Sequence, residues 1–261
     1  MDTGNRRATA DGKAVEIWRL DHAADPAVLS SWATHFRQHY CPDNILPVLV
    51  DGTGKTNAEY LRSVKFPDRT AAPGPSVRAG DFAEILVADF IEYCLGYWCP
   101  RVRYEDKFNR NDSTKGSDTV GFKFAVEDGI DAGDELFILE TKAGLTPTKA
   151  NRLQDAVDDS KKDILREAVS LNAIKQRLLR NGEPTESSAR VQRFQNETSL
   201  PFRRRHGAAA VIADAVYPEQ EIDTVVTVHH PNAGNLLLVV VTGDDLMALV
   251  HALYERAADE A

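Results

Sequence analysis

Residues 136–144 read LFILETKAG. Four apolar residues run straight into Glu140, Thr141 and Lys142, so a strand with the composition of a buried one ends in a carboxylate and an ammonium. Strand side chains alternate between faces, which puts Glu140 and Lys142 on the same one. Charge removed from water is costly unless it is paired or bound to a metal. Each of these two charges lowers the cost of burying the other.

The segments around this strand set the expected fold. Upstream, DTVGFKFAV (118–126) reads as a strand and EDGIDAGD (127–134) as a turn. RVRYEDKF (101–108) alternates like a further strand, followed by the turn-forming NRNDSTKGS (109–117). Before them, 78–98 (RAGDFAEILVADFIEYCLGYW) is a helix that is apolar nearly all round, hence central. Downstream, 144–180 predicts one long helix or two, starting at Thr146 with Pro147 at the first helical position. Residues 181–200 are polar and read as a flexible loop. Segments 207–214 and 235–243 read as buried strands, and 244–258 as a closing amphipathic helix. The core order is helix, three meandering strands, helix, strand.

The N-terminal part reads differently. Residues 1–13 look like a disordered tail, and 14–75 a small helical and extended region. Within it, 25–40 is a helix with Asp25 as N-cap and Pro26 at its first position. Residues 44–57 suggest a short strand and a turn, and 58–66 a short helix. The Pro/Gly-rich stretch 67–76 marks a boundary near residue 75, leaving 76–261 as the main domain.

Three acids and a lysine line up on this framework. Glu84 lies on the central helix, one turn from Val87 and Ala88, and shares their inward face. Asp118 opens the strand after Gly116 and Ser117, and Glu140 and Lys142 end the next. Phosphodiester chemistry needs this set. Carboxylate oxygens hold a hard cation, Mg²⁺ or Mn²⁺. The cation polarises the phosphate and lowers the pKa of a bound water, and a neighbouring lysine orients that water and offsets charge in the transition state.

GSD followed 22 residues later by ETK, with a preceding helical glutamate, resembles the PD-(D/E)xK nuclease superfamily. Asp118, Glu140 and Lys142 match its motif position by position, and Glu84 matches the helical acid of many members; Ser117 stands in place of the motif's proline. More narrowly, 78–124, with RAGDFAEIL, the Lys107 segment and KGSDTVGF, resembles the nuclease subunit of the Hachiman anti-phage defence system (HamA-like). That likeness covers roughly residues 75–180 and, more weakly, the last strand and helix. It implies a restriction-endonuclease-like α/β core, a mixed sheet flanked by helices, and a DNA nuclease effector in phage resistance. It also implies a superfamily 2 helicase as partner. As metal ligands it implies Glu84, Asp118 and Glu140, with the Thr141 carbonyl adding a ligand and Lys142 positioning the water.

Composition bounds the reading. The net charge of −9 counts against an autonomous DNA binder. Residues 101–124 hold six Lys/Arg against four Asp/Glu, and 149–180 eight against five, so a nucleic-acid surface is expected there with a partner's help. Three cysteines without CxxC spacing suit a reducing cytoplasm and argue against a structural zinc. No apolar run spans a membrane and the first residues carry no signal-peptide core, so a cytoplasmic protein without membrane or small-molecule cofactor is expected.

Other motifs read more plainly. DGTGKTN (51–57) lacks the first glycine of a P-loop, since Leu49 stands there, and is a turn. The run 203–206 (RRRH) is either a phosphate grip or a solvated charge run. His229 and His230 lack a third ligand at metal spacing and read as loop. Gln154 helps order the site or is solvated, and Cys94 and Cys99 pack. Two alternatives stay open: a stand-alone restriction or repair endonuclease of the same superfamily, and a catalytically silent scaffold or sensor subunit.

Overall fold

The apolar run before Glu140 forms a central strand. The computed structural model describes residues 1–126, 129–147, 150–182, 185–217 and 219–261. In chain order the elements are β1 (Asp2–Ala8), β2 (Ala14–Arg19), α1 (Pro26–Gln38), α2 (Leu46–Val50), α3 (Asn57–Tyr60), α4 (Gly74–Asp89), β3 (Thr119–Lys123) and β4 (Glu135–Gly144). They continue with α5 (Arg152–Ser160), α6 (Asp163–Arg180), α7 (Thr185–Gln192), β5 (Arg203–Ala213), α8 (Glu219–Ile222), β6 (Leu236–Gly243) and α9 (Leu246–Asp259). Single π-helical turns extend α3 over Leu61–Lys65 and α4 over Phe90–Cys94.

Among the described residues, one six-stranded sheet runs β1-β2-β6-β5-β4-β3. The outer pairs, β1–β2 and β3–β4, are antiparallel. The inner pairs are parallel, which requires crossover connections and helices on both faces. The chain is therefore an α/β protein with a mixed sheet flanked by helices.

Parity along β4 assigns its side chains to those faces. Phe137 and Leu139 pack with α1, α4 and α9 (Phe36, Phe82, Leu253). Leu136 and Ile138 pack with Leu171, Ile174 and Leu178 of α6. Continuing the alternation, Glu140 and Lys142 project on the face covered by α5 and α6, away from α4.

Several expectations change. The tail expected at 1–13 contains β1, an edge strand on β2. β2 in turn pairs with β6, so the sheet runs across the boundary expected near residue 75. Residues 46–50 form α2 rather than a strand, with Pro47 in its first turn. The segment 101–108 is not a strand, because its side chains are spent on the acids of α4 rather than its backbone on a ladder. The downstream helix does not start at Thr146: Thr146 and Pro147 are non-helical, residues 148 and 149 lie outside the described residues, and α5 begins after the Asn151 cap. The turn at 127–134 also falls partly outside, at residues 127 and 128.

The loop expected at 181–200 contains α7. A buried cation just beyond that helix secures it. Arg193 donates to Asp134 at 2.9 Å and to the carbonyls of Asp131, Leu200 and Pro201. Asp134 is fully buried and also accepts from the backbone N–H of Ala125. Removing one member of a buried pair strands the other charge, at a cost of about 3–5 kcal/mol. Asp134→Ala is therefore expected to destabilise the protein by about that amount, measured as a lower urea midpoint with an unchanged slope.

Candidate functional site

Asp118 sits where the β3–β4 ladder stops. The last paired residues are Thr119 and Leu139. One turn later the Thr141 N–H finds no strand partner on that side and donates instead to Asp118 Oδ2 at 2.9 Å. The side chain of Asp118 thus extends the ladder by one bond, and its position is fixed by the sheet.

The turn before Asp118 is held against α6. Gly116 has a φ of 104°, a left-handed value that favours glycine, and a Cβ there would lie 3.2 Å from Ser170 Oγ. The Ser117 N–H donates to that same hydroxyl at 3.1 Å.

Arg103 occupies the other side of Asp118. Its guanidinium donates to Asp118 Oδ1 at 3.0 Å and lies 3.5 Å from Glu84 Oε2. It also donates to the hydroxyl and carbonyl of Thr114 and, at 2.7 Å, to the carbonyl of Ser117. Glu84 accepts a hydrogen bond from the Tyr104 hydroxyl at 2.6 Å. A narrow cavity of about 40 Å³ separates these groups, room for an ion or a single water.

Glu140 and Lys142 form the pair their spacing suggests, with Lys142 Nζ 2.7 Å from Glu140 Oε1. Lys142 reaches Asp159 Oδ2 of α5 equally closely. The other oxygen of Glu140 is buried and makes no hydrogen bond; Arg166 of α6 lies 3.6 Å away. Asp163, at the start of α6, is buried with both oxygens lacking a hydrogen bond of ordinary geometry.

The structure therefore gathers the four expected residues in two groups around Asp118. Glu84 lies on the α4 side with Arg103 and Tyr104, and Glu140 and Lys142 lie on the α6 side with Asp159 and Asp163. Lys107 and Arg78, the other cations near Glu84, are engaged elsewhere: Lys107 binds Asp81, and Arg78 donates to the Pro67 carbonyl. Asp159, Asp163 and Arg103 were missed. The spacing of Asp163 from Lys142 follows no motif, and only the strand parity of β4 with its following helices points to it.

The charge crowding shows in the protonation equilibria. Burial pushes the Glu84 carboxyl up to about 8, with Asp118 and Asp81 adding to the rise and Arg103 opposing it. Burial, then the Asp118 charge, push Glu140 up to about 7 against the pull of Lys142. Asp163 rises to about 6 by burial, the Ser117 hydroxyl drawing it back from longer range. Burial works against the Lys142 ammonium, but the hydrogen bonds it donates to Asp159 and Glu140 outweigh that and hold its pKa above the usual lysine value. Lys142 is thus a fixed cation at neutral pH, not a base. Crowded acids, orphaned oxygens and an all-oxygen donor set suit a hard divalent cation.

Other motifs resolve as structural. Gln154 clasps the backbone of Val226, accepting from its N–H at 2.8 Å. His230 is buried against Ser160. In the 203–206 run, Arg204 pairs with Glu167 and Glu197, and Arg205 donates to Tyr97. Cys99 is buried, whereas Cys94 is exposed instead of packed. His35, His39 and Asp89 bring ligand-type atoms within 4.8 Å of one another. Their midst is filled by Arg101, whose Nη1 lies 3.4 and 3.3 Å from the two imidazoles and donates to Asp89.

A family model, HamA, matches residues 2–257. The chain belongs to the HamA family. The match starts at residue 2, so β1 and β2 are part of what the HamA family shares. Membership suggests a component of Hachiman defence. A search among curated proteins found no match. Among the described residues no helix is long and apolar enough to cross a membrane.

A pH dependence follows from the raised carboxyls. Between the ordinary carboxylate range and about 8, the folded chain retains protons on Glu84 and Glu140 that the unfolded chain has shed. Stability contributed this way is fully present below the unfolded pKa and is lost as pH rises through the folded values. The buried His39 and His230, lowered to about 3 and about 4, act in the opposite direction, but only below the ordinary histidine value of 6.5. The metal-free protein should therefore melt at a lower temperature at pH 8.5 than at pH 6.5, and Glu84→Gln should flatten that slope. Calorimetric scans across this window check it.

Proposed function

We propose that the chain is a Mg²⁺-dependent (or Mn²⁺-dependent) DNA nuclease of PD-(D/E)xK type, acting as the effector of a Hachiman defence complex with a helicase partner. The observation that carries this reading is the buried, unbonded Glu140 oxygen beside Asp118 and the Lys142 ammonium. Leaving it unbonded is costly, and a cation would relieve the cost. The β3–β4 hairpin followed by parallel β5 and β6 supports a restriction-endonuclease-like core.

In this reading Asp118 and Glu140 hold the ion. The Thr141 carbonyl faces the same open edge as its N–H and adds an oxygen. A bound ion supplies polarisation of the scissile phosphate and a more acidic water. Lys142, a fixed donor held by Glu140 and Asp159, orients the attacking water and offsets charge on the phosphate oxygens. Arg103 keeps Asp118 aimed, and Glu84 steadies Arg103.

DNA would meet the half-exposed corner between α5 and α6, where Lys142, Lys161, Lys162 and Arg166 lie, each beside an acid that a phosphate would have to displace. Much of the chain's other positive charge is already paired, as with Arg101, Arg193 and Arg204. With a net charge of −9, this favours a subunit that relies on a partner to hold DNA over a stand-alone nuclease.

Plasmid nicking with Mg²⁺, with and without the proposed helicase partner, tests the reading. Lys142→Ala should fold and lose about 10²-fold or more in rate, the scale of removing one electrostatic donor. Glu140→Gln should fold and lose cleavage altogether. Folded variants that cut as fast as the parent protein would refute a catalytic role for the pair.

A further inference from the structure

The acids around Asp118 divide between the two faces of the sheet. The argument starts from strand parity: Glu140 and Lys142 face α5 and α6, while Glu84 reaches Asp118 from the opposite face of the sheet. On the α4 side the acid is satisfied. Glu84 Oε2 accepts from Tyr104 at 2.6 Å and lies 3.5 Å from Arg103. Arg103 is itself anchored by Thr114 and the Ser117 carbonyl, so it does not vacate the space between Glu84 and Asp118.

On the α6 side the acids are unsatisfied. The Asp163 side chain is 1% exposed, and its oxygens make no hydrogen bond of ordinary geometry, the Ser117 hydroxyl being the one such group that draws on it. Its closest cation, Arg166, stands 3.9 Å away, and the same guanidinium nitrogen lies 3.6 Å from the orphaned Glu140 oxygen. One loosely held and partly exposed arginine thus sits between Asp163 and the unbonded oxygen of Glu140. A poorly partnered buried carboxylate is costly to fold around, and the Ser117 hydroxyl does not outweigh the burial of Asp163.

We infer that Asp163 is a metal ligand: Asp118, Glu140 and Asp163 hold the divalent cation, Arg166 swings to solvent as the ion enters, and Glu84 is a positioning residue acting through Arg103. This rests on reading the site as a cation centre. All donors are oxygen and three carboxylates contribute, which suits Mg²⁺ or Mn²⁺ over zinc.

The test is titration of the full-length protein with Mn²⁺ alone, by calorimetry and by thermal melting, for the parent chain, Asp118→Asn, Asp163→Asn and Glu84→Gln. Asp163→Asn should weaken Mn²⁺ binding by at least about tenfold, no less than the loss of an outer-shell partner. It should also raise the metal-free melting temperature, because an unpaired charge is removed. Glu84→Gln, which acts only through Arg103, should weaken Mn²⁺ binding less than Asp163→Asn does. Parent-like affinity in Asp163→Asn with affinity lost in Asp118→Asn would overturn the inference and leave the cation site standing. A lower metal-free melting temperature in Asp163→Asn would mark a structural carboxylate and also overturn it, as would a Glu84→Gln variant that loses binding equally. No Mn²⁺ binding by the parent chain, or binding untouched by Asp118→Asn, would remove the cation site itself.

Discussion

The bond from the Thr141 N–H to Asp118 ties the chemistry of this chain to its sheet. β3 is short, and its ladder with β4 ends at Thr119 and Leu139 while β4 continues to Gly144. Beyond that point β4 has a paired edge toward β5 and an open edge where β3 should be. An open edge inside the molecule needs an acceptor for each N–H. Asp118 supplies one with a side chain, and so places a carboxylate at the end of the sheet. Moving that carboxylate would break a backbone bond, so its position cannot drift independently of the fold.

A second constraint follows from the first. α4 lines the site with Asp81, Glu84, Asp89 and Glu92, spaced so that they share a stripe. The segment after the helix runs back along that stripe and matches it with Lys107 on Asp81, Arg103 and Tyr104 on Glu84, and Arg101 on Asp89 and Glu92. Network continuity extends to α1 and α9, because Asp81 also accepts from Tyr40, which bonds Tyr254. Every charge on this face has a partner, which is how a buried ionic face is tolerated. The same matching stiffens the α4 side and leaves the α6 side as the one that can change.

What the residues disclosed in advance was local. The apolar run of β4, the capped start of α1, and the shared face of Glu140 and Lys142 are all set by neighbours within a few positions. What they concealed was set by distant partners. β1 is polar and largely exposed, and becomes a strand only because β2 offers it an edge. α7 has weak amphipathic patterning, and Arg193, just beyond it, is tied by a cation reaching Asp134, 59 positions away. The alternation of 101–108 is real, with Val102 and Tyr104 buried, but it reflects contact with a helix, not strand pairing. Asp163 stands in an ordinary charged helix start, where an acid is favoured by the helix dipole alone, so nothing local distinguishes it.

The order of the chain accounts for where that acid must come from. An E-x-K pair occupies one face of its strand by period alone. The helix before the hairpin, α4, covers the face bearing Phe137 and Leu139. The crossover from β4 to the parallel β5 runs through α5, α6 and α7, and covers the face bearing Leu136 and Ile138, hence Glu140. An acid on α4 can meet Glu140 only around the end of β3, through Asp118 and the guanidinium wedged beside it. An acid on the crossover meets it directly. Asp159 and Asp163 flank the α5–α6 corner, and they divide the work: one is spent on Lys142, and the other shares only a distant Arg166 with Glu140.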